Sequence, residues 1–156
     1  MKKLTRTTEL FIYDNIEDLP AEIRELIHES KRAATTAYAP YSHFRVGAAV
    51  RVASGEIIPG SNQENAAYPS GLCAERVAVY AAAAKCPGQV ISAIAIHAAD
   101  YHSEEIPVSP CGDCRQSIFE YEHRQRQPIP VYLTGSGKTI WKFPSLRSLL
   151  PFPFEF

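Results

Sequence analysis

The chain has no surplus of either charge, no basic run, no long apolar segment and few cysteines, and each shortage closes off a class of function. Its 156 residues carry 16 Lys and Arg against 17 Asp and Glu, a formal charge of −1. Basic residues never gather beyond pairs such as Lys2-Lys3 and Lys31-Arg32. Proteins that grip a nucleic-acid backbone draw most of their affinity from neutralising phosphates, so a polynucleotide partner loses its main support. Met1 to Glu9 is polar and charged, without the apolar core of a signal peptide. The longest apolar stretch, about Val77 to Ala84, is Ala-rich and far too short to cross a bilayer. These features predict a cytoplasmic chain with no membrane partner. In that compartment its four cysteines are metal ligands or thiols before they are disulfides.

What is present suits one folded unit. At 46% hydrophobic residues the chain can bury a core, and it is too short for two comfortable domains. Residues 1–19 read as an N-terminal extension, with a single catalytic domain over 20–156. A first helix is predicted from about Pro20 to Ala37, capped by Asp18, because Ile23, Leu26, Ile27, Ser30, Ala33, Ala34 and Ala37 recur at helical period. Val46 to Val52 reads as a strand. Ser54-Gly55 turns it into a second strand from Ile57 toward Asn62 and Glu64, where Pro59-Gly60 marks an edge or a bulge. A second helix runs from Cys73 to about Lys85, stopped by Pro87-Gly88. Val90 to Ala98 is apolar enough for a strand covered on both faces. A third helix runs from Cys111 to about Arg124, burying Ile118, Phe119 and Tyr121. Ile129–Thr134 and Thr139–Phe143 form a hairpin, and a short helix covers Pro144 to Leu150. The expected architecture is α/β in three layers, α/β/α, with a mixed five-stranded sheet and helices on both faces.

The chemistry sits in two short motifs, Cys73-Ala74-Glu75-Arg76 and Pro110-Cys111-Gly112-Asp113-Cys114. A structural zinc site takes four protein ligands, whereas a catalytic one takes three and leaves a position for water. Cys73, Cys111 and Cys114 supply three, and Glu75 stands beside the water as proton carrier. The arrangement is the three-cysteine form of the zinc nucleobase deaminase signature. Cys111 and Cys114 share the first turn of one helix. Cys73 and Glu75, two apart, converge only if the metal lies off the end of the other helix, with Cys73 at or near its cap. Both helices then aim their positive N-terminal ends at one cation, which favours thiolate. Three thiolates, Zn²⁺ and hydroxide sum to about two negative charges. Arg76 and Arg115 are candidates to offset them, and Arg76 is preferred for its place at the same helix end as Cys73.

Plainer readings stand beside this one. Cys111-x-x-Cys114 alone is also the pattern of a redox dithiol. Cys86 lies some four turns from Cys73 on the same helix, which excludes it as a fourth ligand and suggests a small buried thiol. His97 reads as a packed strand residue, and His43 alone in its loop is weak evidence for a ligand. Gly135-Ser136-Gly137-Lys138-Thr139 ends like a phosphate-binding loop, yet Tyr132 occupies the position of the motif's first glycine and a strand follows, so it reads as a hairpin turn.

The chain resembles the small, homotetrameric cytidine deaminase family. The resemblance rests on Ala37 to Phe44, Val46 to Ala49, Asn62 to Tyr68, Cys73 to Arg76, Pro110 to Gln116 and Leu149 to Pro151, in order over residues 22–154. It implies the cytidine deaminase-like fold and hydrolytic deamination of cytidine and deoxycytidine to uridine and deoxyuridine, as in pyrimidine salvage. It also implies one Zn²⁺ per subunit on Cys73, Cys111 and Cys114, with Glu75 as the catalytic acid and base. Asn62 and Glu64 match residues that bind the ribose 3′-hydroxyl, and Phe44 an aromatic that packs on the nucleoside. The backbone around Ala74 and Glu75 matches the part that recognises the base edge. Tyr68 matches a residue near a subunit boundary. Phe154 matches a C-terminal aromatic that reaches a neighbouring subunit's site, in a tail that also holds Phe152 and Phe156. Independently, Asn62 and Glu64 lie two apart on a strand end and so face one side. Gln63 and Arg45 depart from the family pattern, Arg45 standing where relatives often have proline. A deaminase of another small aminated heterocycle, a polynucleotide-editing deaminase and a non-catalytic zinc module are the alternatives; the ribose-type pair, the lack of a basic channel and the presence of Glu75 weigh against them in turn.

Overall fold

A computed structural model describes residues 1–100 and 107–155; Phe156 of the aromatic tail lies outside them. In chain order the described residues form β1 (Phe11–Tyr13), α1 (Ala21–Ala34), β2 (Val46–Val52), β3 (Ile57–Ser61), α2 (Ala74–Lys85), β4 (Ile91–Ala98), α3 (Gly112–Gln125), β5 (Val131–Thr134) and β6 (Ile140–Phe143). Among the described residues the sheet has six strands in the order β1-β6-β5-β4-β2-β3. Only β4 and β5 are parallel to each other; the other neighbours are antiparallel. The expected five strands are thus corrected to six. The additional one is a three-residue strand within residues 1–19, with Phe11, Ile12 and Tyr13 opposite Lys142, Trp141 and Ile140. Three residues are too few to show alternation against a polar background, so pairing with β6 made a strand that its own sequence does not announce.

Helix ends differ from expectation for local reasons. Asp18 does not cap α1; it ends a 3₁₀ turn, Ile16–Asp18, and Pro20 itself is the N-cap. α1 stops at Ala34 instead of Ala37, where the Thr35 and Thr36 hydroxyls donate back to the carbonyls of Arg32 and Ala33. The last predicted helix shrinks to a 3₁₀ turn, Leu146–Ser148, capped by Ser145, whose Oγ accepts from the Arg147 N–H. β3 lies at the sheet edge, which is where Pro59 is tolerated. Gly135-Ser136-Gly137 joins β5 to β6, as a hairpin turn and not a phosphate loop.

Alternation along the central strands separates two cores. Ala49, Ala93 and Ala95 pack with Leu26 and Ile27 of α1. Val50, Ile94 and Ile96 pack with Ala78 and Val79 of α2 and Ile118 and Phe119 of α3. The predicted three layers are present. Two glycines set how closely the layers approach. A Cβ on Gly47 would lie 2.1 Å from the Ser30 carbonyl oxygen on α1, and one on Gly60 would lie 2.4 Å from the Ala78 nitrogen on α2. Gly60 therefore lets the first turns of α2 sit directly on β3, which fixes the end of the helix that Cys73 begins.

His97 is a packed strand residue, opposite Thr134 of β5. The Thr134 hydroxyl donates to the Ile96 carbonyl at 3.3 Å, so its oxygen accepts from His97 Nδ1 at 3.0 Å, which assigns the neutral tautomer with its proton on Nδ1. Burial, with Lys31 adding and Asp100 opposing, pushes the His97 pKa down to about 4. The unfolded chain, titrating near ~6.5 at this residue, then binds more protons than the folded one between those values, so this residue's contribution to stability falls as pH drops through that window. In urea unfolding at pH 7 and pH 5, His97→Gln should show a smaller loss of stability on acidification than the unsubstituted chain.

Candidate metal centre and active site

Two helix starts meet at one place. Cys73 is the N-cap of α2 and Cys111 the N-cap of α3, both with extended backbone and neither making a side-chain capping hydrogen bond. Cys114 lies in the first turn of α3 and is fully buried. The three Sγ atoms lie within 4.8 Å of one another, with Cys73 and Cys111 3.9 Å apart. Ligands ~2.3 Å from a tetrahedral centre stand about 3.8 Å from each other, so this set fits zinc. Cys86 is remote from them, at the C-cap of α2, where its thiol donates to Glu56 Oε2 at 3.3 Å.

Charge at the cluster is arranged by Arg76. Its Nη2 lies 3.9 Å from the Cys73 sulfur. Burial opposes the guanidinium charge, but hydrogen bonds and attraction from Cys73 and Cys114 outweigh it and raise the Arg76 pKa. A hydrogen bond from Cys114 is the main cause that lowers the Cys73 thiol to about 5, with Arg76 and Cys111 helping against burial. The same bond, seen from its donor, holds the Cys114 pKa up, and burial adds to it. A cation with this donor set replaces those protons. Arg115 does something else: its Nε donates to the Pro110 carbonyl at 2.8 Å and its Nη1 to the Leu149 carbonyl at 2.9 Å. It ties the residue before Cys111 to Leu149, so its guanidinium is engaged by carbonyls.

Glu75, 5% exposed, is the buried carboxyl of the cluster. Burial pushes its pKa up to about 7, and the Cys73 charge adds to the rise; its own backbone N–H, the Cys114 thiol and Arg76 pull the other way. A carboxyl poised near neutrality can both take and give a proton at working pH. Ala74, at the first position of α2, is fully buried.

The other predicted residues fall into two groups. Phe44, Asn62 and Glu64 belong to one network around the loop before β2. Asn62 Oδ1 accepts from the Val46 N–H at 2.8 Å and its Nδ2 donates to the Phe44 carbonyl at 2.9 Å. Glu64 Oε2 accepts from the backbone N–H groups of Tyr41 at 2.9 Å and Ser42 at 3.2 Å, and Oε1 from the Ser42 hydroxyl. The Ser42 bond, followed by the Tyr41 bond, holds the Glu64 pKa below the usual carboxylate range. Tyr68 and Phe154 stand apart, at 90% and 68% exposure. The Phe154 backbone is nevertheless held, its N–H donating to Gln116 Oε1 at 3.0 Å and its carbonyl accepting from Gln116 Nε2 at 2.8 Å.

Three contributors escaped the sequence reading. Ser42 supports both Glu64 and the Phe44 N–H, at 3.0 Å to the latter. Asp100 binds Arg45. Glu122, 6% exposed, accepts from the N–H groups of Ile129 and Leu146 and from the Ser145 hydroxyl, tying α3 to the segment that leads into β5 and to the final turn. An acid in helical register with Ile118 and Phe119 was the available signal for Glu122; nothing local distinguishes Ser42 or Asp100.

Comparison with known proteins agrees with this geometry. The model of the cytidine and deoxycytidylate deaminase zinc-binding region matches residues 20–127. A cytidine deaminase of Sporosarcina psychrophila is 44% identical over 134 residues, covering 86% of this chain and 92% of the relative. The crystal structure of cytidine deaminase from Burkholderia pseudomallei superposes with a TM-score of 0.73 at 39% identity, covering 83% of this chain and 97% of that one. That of the Mycobacterium tuberculosis cytidine deaminase gives 0.65 at 29% identity, covering 88% and 100%. The match takes in the whole of both ligand-bearing helices, and the chain belongs to the cytidine and deoxycytidylate deaminase zinc-binding family.

Proposed function

We propose that the chain is a zinc-dependent hydrolase that converts cytidine and deoxycytidine to uridine and deoxyuridine with release of ammonia. The observation that carries this reading is Glu75: a buried carboxyl with its pKa pushed up to about 7, beside three sulfurs set for one cation. Cys73, Cys111 and Cys114 would hold Zn²⁺, which would act as a Lewis acid and lower the pKa of a water from ~15.7 in bulk toward ~7. Glu75 takes the proton of the attacking water and hands it to the pyrimidine N3, which makes C4 more electrophilic. The water oxygen adds to C4. Glu75 then takes the proton of the new C4 hydroxyl and delivers it to the amino group, ammonia leaves, and the oxygen remains as the product carbonyl. Arg76 holds countercharge against the sulfurs, so that the thiolates do not cancel the acidity the metal confers.

Nucleoside binding falls to the neighbouring network. By its donor count Asn62 keeps one amide N–H beyond its bond to Phe44, and the Glu64 carboxylate keeps acceptor capacity beyond its three partners. Each can meet a ribose hydroxyl, with Phe44 packing on the nucleoside and the backbone at Ala74 and Glu75 reading the base edge. The enzyme works in the cytoplasm as a homotetramer with active sites at subunit interfaces. No helix of the described residues is long and apolar enough to cross a membrane, and none of the four cysteines is in a disulfide. Exposed Tyr68, Phe152 and Phe154, with Tyr38 and Tyr41, form apolar surface that other copies would cover.

Ammonia release measured side by side should be rapid with cytidine and deoxycytidine and negligible with cytosine or an RNA oligonucleotide; turnover confined to the oligonucleotide would overturn the reading. Glu75→Gln should keep its zinc and its fold and lose at least ~10³-fold in turnover, since one group serves several proton transfers. Retained activity in that variant would remove Glu75 from the mechanism. Arg76→Ala should bind zinc ~10–100-fold more weakly in competition with a chromogenic chelator. Sedimentation should give four chains per particle, and a fully active monomer would refute shared sites.

A further inference from the structure

Arg45 occupies the single position between Phe44 and the start of β2, and the backbone on both sides of it is already fixed. The Phe44 N–H donates to Ser42 Oγ, its carbonyl accepts from Asn62, and the Val46 N–H donates to the same Asn62 side chain. Arg45 adds a tie in another direction. Its backbone N–H donates to Asp100 Oδ2 at 3.1 Å, its Nε to the same oxygen at 2.7 Å, and its Nη2 to Oδ1 at 2.7 Å. Its carbonyl accepts from the Ala99 N–H at 2.9 Å, one step beyond the Val46–Ala98 pair that begins the β2–β4 ladder. Asp100 stands two residues past the end of β4, on the connection that leads in sequence to Cys111.

An ordinary exposed ion pair has little structural weight, because water and salt screen it and two long side chains must be ordered. This pair differs in kind. The guanidinium meets the carboxylate through two parallel bonds, and the backbone of the same residue adds a third. The side chains are 51% and 27% exposed, so the pair is not a buried charge whose loss would unfold the domain. Its leverage is local. The preceding His43 adopts a left-handed backbone, φ 56°, which a non-glycine residue keeps only where its surroundings enforce it.

We propose that the Arg45–Asp100 pair positions the Phe44 ring for nucleoside binding, by locking the loop before β2 to the end of β4. The inference rests on the reading of Phe44 as the residue that packs on the nucleoside. The pair holds substrate affinity and leaves the proton chemistry of Glu75 alone. Lysine at position 45 keeps the charge but cannot make the fork.

Steady-state kinetics on the zinc-loaded enzyme separates this role from a general one. Arg45→Ala should raise KM for cytidine about tenfold with kcat within about twofold. Arg45→Lys should fall between the two, and Asp100→Asn should resemble Arg45→Ala. Zinc content and thermal midpoint should not change. In a Phe44→Ala background Arg45→Ala should have no further effect on KM, because both substitutions remove the same contact. An unchanged KM, an undiminished effect without the Phe44 ring, or a fall in kcat and zinc content together would each overturn the proposal. If the unsubstituted chain turns over cytidine and Arg45→Ala does not differ from it, only the present inference fails. Fluorine NMR of fluorophenylalanine-labelled protein, with Phe44 assigned by its loss in Phe44→Leu, reads the ring without substrate. Arg45→Ala should shift or broaden that resonance, and an unaltered line overturns the proposal whatever the substrate proves to be.

Discussion

Two helix N-termini aimed at one point bring Cys73, Cys111 and Cys114 within 4.8 Å of each other, and the rest of the molecule is arranged to hold them there. The dipole ends of α2 and α3 would repel each other if nothing negative lay between them. Thiolates are that negative charge, and a divalent cation then draws them together. The sheet supplies the rigid reference: α2 sits directly on β3 because Gly60 has no side chain, and α3 follows β4 through a connection pinned at Pro110 by Arg115. Glu122 fastens the far end of α3 to the segment before β5 and to the last turn, so the helix is held at both ends.

Within that frame, charge and burial are divided among three neighbours in chain order. Cys73 carries negative charge, Glu75 is buried deeply enough to stay near its protonation midpoint at neutral pH, and Arg76 returns positive charge to the sulfurs. A helical turn spreads consecutive residues around its axis, so on the proposed reading one short motif would reach the metal, the reacting atoms and the outer side of the thiolates at once. The loop before β2 is a second, separately fixed body, held by Asn62, Glu64 and Ser42.

What was legible in the sequence follows a physical line. Cys73, Glu75, Cys111 and Cys114 were readable because metal chemistry restricts both residue type and spacing. The central strands and helices were readable because burial imposes a period. β1 was not, since its strand character comes from β6, and neither was the end of α1, which two threonine hydroxyls decide. Asn62 and Glu64 are expected on a strand end, yet β3 stops at Ser61 just before them, and sequence alone does not reveal that their side chains hold the backbone of Tyr41 to Val46. The choice of Arg76 over Arg115 rested on position along one helix, and the observed partners of the two arginines agree with it.

The two helix starts have one further property. Neither Cys73 nor Cys111 donates or accepts a capping hydrogen bond through its side chain. A serine or aspartate at such a position would satisfy a backbone N–H and add ~1 kcal/mol to its helix. The chain forgoes that twice, at the same spot. Zinc would then be a folding partner as well as a reagent: by drawing the thiolates together it would hold two uncapped helix starts in place, and metal affinity would be linked to fold stability.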